Sequence, residues 1–306
     1  MDLTTRYLGL DLPHPLIPGA SPLTGDLDAV SRLEDAGAPA IVMPSLFEED
    51  IVRYGERSDL YLEHLLRIKR RVGIPVIASL NGTTPDRWLR YSLLIERGGA
   101  DALELNFYHV ATDPLENGVS VERRVLDVVA VLKESIRIPL AVKLSPFYSS
   151  IPNVAAHLDR LGADGLVLFN RFYQPDIDPV RRDTGWQLDL SDSSELRLRL
   201  RWIAILSGRI KASLALTGGV HEPIDAIKAV MAGANGVQMA SALLTRGPAY
   251  LGRMRDEFER WGDAHGYESL DGMRGCMSLA RSSDPTMFER GNYVRMLQGG
   301  AWPAAN

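Results

Sequence analysis

Lys143 is the single charged residue of the run LAVKLS. Burying an ammonium without a partner is costly, so a lysine embedded in an apolar strand faces an anion, a reacting carbonyl or a carboxylate. Three roles stay open on that ground. It could hydrogen-bond the N1/O2 edge of a flavin, where negative charge develops on hydride uptake. It could be an aldolase-type Schiff-base amine, which needs a depressed pKa. It could instead pair structurally with Glu104 of the neighbouring run ALELNF.

Two further segments carry small residues where a backbone could approach an anion closely. Gly218-Gly219 ends SLALTGG, and Ala240-Ser241 ends GVQMAS just before a helical stretch. In a barrel of parallel strands a phosphate commonly sits between the last two such loops, held by backbone N–H groups and a helix N-terminus. Gly-Gly could also simply turn the chain. The pair alone does not separate a flavin mononucleotide from a sugar phosphate.

The run ALELNF stops on Asn106 and leads into YHVATDP. His109 in that loop is a candidate base, because an imidazole takes a proton at neutral pH without an activating neighbour. Its alternative is to stack with Tyr108 and line a pocket. Tyr108 is the weaker base, since a phenol titrates far from neutral. His14, His64, His157, His221 and His265 lack metal-ligand spacing and are expected on the surface or at caps.

The elements that must position these groups repeat one unit, an apolar run with a polar or glycine-containing end followed by a helical stretch. Eight such runs occur: residues 15–21, 40–45, 75–80, 102–107, 140–145, 165–170, 213–219 and 236–241. Segments between them, such as VERRVLDVVAVLKES, place apolar residues at helical spacing. Several runs follow a Gly-Ala or Gly-Ile turn suited to a helix C-cap. Strands that are nearly continuous in hydrophobicity are buried on both faces, as in a parallel sheet covered by helices. Eight of them predict a single (β/α)8 TIM barrel with its site at the C-terminal strand ends. An open doubly wound sheet is disfavoured because no glycine fingerprint follows the first strand. Residues 171–200 form the longest interval between strands, expected to overhang the mouth as a lid or binding element. The division expected is a barrel over residues 1–261 and a C-terminal helical extension, 262–306, packed on it.

Composition narrows the function. The 306 residues are 45% hydrophobic and 24% charged with a net charge of −5, an ordinary globular balance without a basic stripe for nucleic acid. The lone cysteine, Cys276, allows neither an internal disulfide nor an iron–sulfur cluster on this chain's thiolates. No run approaches a membrane span and no signal pattern opens the chain, so the expected compartment is the cytoplasm. No metal site is expected.

Taken together, LGLDLPHPLIPGASPLTGD, LELN, VKLSP, LFN, LTGGV and GANGVQMASALLTRGP resemble, in order, the dihydroorotate dehydrogenase family over most of residues 5–250. The resemblance implies an FMN-carrying barrel that oxidises a dihydropyrimidine CH–CH bond in pyrimidine biosynthesis, by hydride transfer to FMN with a base on the loop after strand four. It puts Ala20, Ser21 and Ser45 near the flavin. Asn106, Lys143 and Asn170 fall at flavin- and substrate-facing positions, with Ser79 and Arg171 beside the substrate. Gly218, Gly219, Ala240 and Ser241 become the phosphate cradle. The base position falls on His109, and Lys143 is carried over as the second catalytic residue. A homodimer is implied, with electrons leaving to a soluble acceptor or a redox partner protein.

The pattern also breaks. The family's Asn-x-Ser-Cys/Ser-Pro-Asn loop reads NFYHVATD here, with Val110 and Ala111 in place of the proline and second asparagine. Pro44 replaces the usual strand-two lysine, Ser79 stands for the third-strand asparagine unless Asn81 substitutes, and Ala240-Ser241 replaces Gly-Thr. Lost amides change which ring a site accepts, so an altered dihydropyrimidine-like substrate is expected. Two alternatives remain: a flavin-free Schiff-base lyase or aldolase using Lys143 on a phosphorylated substrate, and a catalytically inactive flavin-binding subunit.

Overall fold

The computed structural model describes residues 1–49, 57–82, 85–172, 174–185 and 189–298. All eight expected runs are strands of one parallel sheet. They are β1 (Leu16–Pro18), β2 (Ile41–Phe47), β3 (Val76–Asn81), β4 (Ala102–Asn106), β5 (Leu140–Leu144), β6 (Gly165–Leu168), β7 (Ser213–Thr217) and β8 (Gly236–Met239). The hydrogen-bonded order is β1-β8-β7-β6-β5-β4-β3-β2, so the sheet curls into a nearly closed barrel whose seam lies between β1 and β2. In register, Asn106 of β4 sits opposite Lys143 of β5, and Ser45 of β2 opposite Ser79 of β3.

Helices α1 (Leu27–Asp35), α2 (Arg57–Arg71), α3 (Pro85–Arg97), α4 (Gly118–Ser135), α5 (Ile151–Arg160), α6 (Leu196–Leu206) and α7 (Pro223–Ala232) each follow the strand of the same number. After β8 come a short α8 (Ser241–Arg246) and then α9 (Tyr250–Ala264). Local chemistry sets their starts. Asp26 caps α1 by accepting from the Ala29 N–H at 2.7 Å, and Asn117 caps α4 by accepting from Ser120. Each helix turns an apolar stripe to the barrel. Val125, Val128, Val129 and Leu132 of α4 are buried, as are Leu251, Met254 and Phe258 of α9.

Inside the barrel, small side chains leave room for a plug. A hairpin of Thr5–Tyr7 and Leu10–Leu12 packs Tyr7, Leu8 and Leu12 against Ala40, Val42, Ile77, Ala102, Ala141, Val167 and Ala215. Leu8 presses so close to Gly165 that a Cβ there would meet it at 2.4 Å. The end of the barrel where the strands begin is therefore filled, and the site is left to the opposite end.

The interval after β6 holds a small hairpin, Asp176–Asp178 with Asp183–Gly185, before Asp192 caps the turn into α6. Beyond α9 the chain is mostly turns that hydrogen-bond the backbone of α6 and α7. Gly275 N–H donates to Val230, Met277 to Met231 and Leu279 to Ala204. Two short helices, α10 (Leu270–Met273) and α11 (Arg290–Gln298), complete it. The last part of the expected extension, residues 299–306, lies outside the described residues. Among the described residues, no helix is long and apolar enough to cross a membrane, and no cluster of His, Cys, Asp and Glu could hold a metal.

Candidate functional site

The C-terminal strand ends open into a cavity of about 410 Å³. Asn106 from β4, Lys143 from β5 and Asn170 just after β6 form one side, and Ala20, Ser21 and Ser45 from the ends of β1 and β2 another. Gly218, Gly219, Ala240 and Ser241 line the remainder, with Arg171 at the rim. Eleven residues singled out from the sequence thus meet around one space, as strand ends of a barrel must.

The polar groups are held in definite orientations. Asn106 Nδ2 donates to Ser45 Oγ at 3.4 Å, and Ser45 Oγ lies 2.7 Å from Ser79 Oγ. Asn106 Oδ1 is left buried without a donor. Asn170 Nδ2 donates to the carbonyls of Phe107 and Lys143, so its amide is turned by the ends of β4 and β5. Lys143 Nζ donates to Glu104 Oε1 at 3.2 Å, and Gln238 Nε2 to Glu104 Oε2 at 2.6 Å. Glu104 is 0% exposed and Lys143 9%, which makes this an ion pair on the cavity floor. Pairing and contact with the cavity coexist, so two of the three roles open for Lys143 are compatible.

Gly218 and Gly219 both have left-handed backbone, with φ of 86° and 80°. A Cβ on Gly218 would meet Arg199 Nη2 at 2.9 Å, and one on Gly219 the Leu196 N at 2.6 Å. The backbone at the start of α6 therefore demands glycine at 219 on packing grounds alone, whereas at 218 the neighbour is a side-chain tip and the left-handed backbone is what favours glycine. The long interval closes over them. Ser191 Oγ donates to Ser241 Oγ at 3.0 Å and lies 3.2 Å from His221 Nε2. Arg171 Nε pairs with Glu195 at 3.1 Å, and its Nη1 donates to the Asp189 carbonyl. A neighbouring cavity of about 380 Å³ under this strap shares Ala20, Ser21, Arg171, Ala240 and Ser241 with the first and adds Tyr108 and Phe172, which stack at 4.3 Å.

Two sequence candidates stand apart. Ser79 is fully buried one layer behind Ser45, bonded through its backbone to the Tyr61 hydroxyl. His109 lines a separate cavity of about 400 Å³ with Phe107, Phe147 and Phe172, and its Nε2 is 2.9 Å from Glu116 Oε2. Asn81 is buried at the end of β3 and is not among the residues lining the main cavity. Of the five histidines expected on the surface or at caps, His14 is instead buried, its Nε2 2.7 Å from the Gly37 carbonyl and its Nδ1 accepting from Leu16 N–H.

Gln238 and Ser191 line the cavity without having been singled out. Gln238 had a signal, an amide alone in the apolar run GVQMAS, of the same kind that marked Lys143. Ser191 had none, because only the fold brings its loop over β7 and β8.

Comparison with known proteins places the chain among those of one family. The family model described as dihydroorotate dehydrogenase matches residues 53–261, more than half of the chain. Proteins named dihydroorotate dehydrogenase B (NAD(+)), catalytic subunit, are similar along nearly their whole length. The one from Thermoplasma volcanium is 27% identical over 90% of this chain and 98% of its own. That from Thermoplasma acidophilum is 28% identical over the same shares. A third, from Pyrococcus abyssi, is 28% identical over 88% and 96%.

Proposed function

Since the chain belongs to the dihydroorotate dehydrogenase family, we propose that it is an FMN-dependent oxidoreductase acting on the CH–CH bond of a dihydropyrimidine-like ring. The observation that carries this is the single cavity shared by Lys143, Asn106 and Asn170 at one side and by Gly218, Gly219, Ala240 and Ser241 at another.

The donor set fits an isoalloxazine. An imide edge alternates carbonyl acceptors with an N–H donor, and the cavity supplies an ammonium on Lys143 and an unused acceptor on Asn106 Oδ1. The small residues after β7 and β8 would hold the phosphate through backbone N–H groups. Bound there, FMN would supply a hydride acceptor. The chain's own part is to orient the substrate ring with Asn106 and Asn170, to favour negative charge at the flavin edge with Lys143, and to take the neighbouring ring proton. We assign that last role to His109, which must exchange Glu116 for the substrate when its loop covers the mouth. Substrate recognition also falls to Arg171 at the rim, and to Ser79 through its hydrogen bond to Ser45.

The ring need not be dihydroorotate, because Pro44 stands where the resemblance implies a strand-two lysine, and Val110 and Ala111 where it implies a proline and an amide. The names of the relatives, catalytic subunits of an NAD(+)-type enzyme, support electron exit to a separate redox subunit or soluble acceptor. The working form proposed is a cytoplasmic homodimer serving pyrimidine chemistry.

The Schiff-base alternative is disfavoured by the Lys143–Glu104 pair, since Nζ is already held by a buried carboxylate at 3.2 Å and would have to leave it to reach a carbonyl. The test is an anaerobic titration of purified protein with a panel of dihydropyrimidines. Yellow protein bleached by one of them is the expected result. Colourless protein that borohydride traps with a keto substrate would replace this function with the lyase. Flavin that no dihydropyrimidine reduces would point to the inactive binding subunit.

A further inference from the structure

Glu104 lies in the barrel interior, between the hairpin plug and the cavity floor. Its carboxylate is fully buried, and each oxygen accepts one hydrogen bond, Oε1 from Lys143 of β5 and Oε2 from Gln238 of β8. Glu104 and Gln238 sit on strands at opposite sides of the barrel, so the carboxylate bridges the interior. Two phenols also feel its charge, Tyr7 of the plug and Tyr61 of α2, and burial, reinforced by the Glu104 charge, keeps both neutral. A carboxylate and an ammonium are thus paired in the interior. The ammonium lines the cavity, and the carboxylate lies behind it.

A buried ion pair is weak as a stabilising device, because desolvation offsets the Coulomb gain. Lys143 could have been held by neutral carbonyls alone. A full negative charge behind it has an electrostatic consequence for anything in the cavity, since screening by solvent is poor there. We propose that Glu104 is a positioning residue that anchors Lys143 and moderates the positive field it presents to the bound ring, and thereby lowers the ring's reduction potential. This rests on FMN being the ring in the cavity. Reduction adds negative charge to the ring edge, so an uncompensated Lys143 would favour the reduced form more strongly than the native pair does.

Glu104→Gln keeps the shape and removes the charge. Reconstituted with FMN, this variant is expected to bind reduced over oxidised flavin at least tenfold more strongly than the native protein, relative to one another. For a two-electron couple that is a rise of about 30 mV in midpoint, read by spectroelectrochemical titration without substrate. A merely structural role would change melting temperature and flavin content but leave the midpoint in place. An unchanged or lowered midpoint overturns the proposal.

If Glu104→Gln alone does not fold, the comparison moves to Lys143→Gln with and without it, because replacing both members of a buried pair is tolerated better than breaking it. The double variant's midpoint is then expected above that of Lys143→Gln, and equal midpoints overturn the proposal. Failure of the functional reading is separable. Native protein that holds no FMN at all removes that reading and this one together, whereas yellow native protein with an unmoved variant midpoint removes this one only.

Discussion

His109 Nε2 stands 2.9 Å from Glu116 Oε2, and Arg124 binds the other oxygen of the same carboxylate. The hydrogen bond from His109, and then that from Arg124, hold the Glu116 carboxyl below its usual range. The imidazole is therefore tied outside the main cavity, and its use as a base needs this contact to open. His109→Ala is expected to leave FMN content unchanged and to slow anaerobic flavin reduction about a hundredfold. Stopped-flow absorbance decides it, and an unaltered rate takes His109 out of the chemistry.

Gly219 combines a φ of 80° with backbone contact at the start of α6. Gly219→Ala is expected to cost about 1–3 kcal/mol from the left-handed backbone alone. Its Cβ, 2.6 Å from the Leu196 N, would also push the β7 loop off α6. Urea denaturation of the flavin-free protein should show a lower midpoint, and FMN affinity should fall as the loop shifts. Native-like values of both would mean that the loop yields without penalty.

His14 supplies a pH dependence. Burial, aided by the Arg255 charge and opposed by the hydrogen bond to Gly37, lowers its pKa from 6.5 to about 4. Protonation at Nδ1 would also break the bond from Leu16 N–H. The unfolded chain takes up this proton more readily than the folded one. Its contribution is therefore complete above about pH 6.5 and is lost as the pH falls from there to about 4, a change of ~3 kcal/mol. Stability measured by denaturant at pH 7, 5.5 and 4.5 should fall in that order. His14→Gln should flatten that part of the profile, and an equally steep profile in the variant would exonerate His14.

The architecture was legible because a parallel barrel writes itself into the chain as a period. Apolar runs buried on both faces alternate with amphipathic stretches, and the ends of those runs carry the polar groups. Asn106, Lys143 and Gly218 could be marked one at a time, since each interrupts or ends an apolar run, whereas Asn170 is marked only by the family resemblance. The family resemblance then joined them into one site before any distance was known.

What the chain alone could not supply is which side chains share a space, because that depends on contacts between residues far apart in sequence. His109 follows Asn106 by three positions, yet the loop after β4 turns it to Glu116 and into another cavity. Glu104 and Gln238, 134 residues apart, meet only because β4 and β8 face each other across the barrel. Residue types and their period determined the barrel and the ring of strand ends. Direction and pairing, the orientation of each amide and the partner of each charge, were decided by tertiary packing, since a buried polar group can bond only to the partners that the fold brings near.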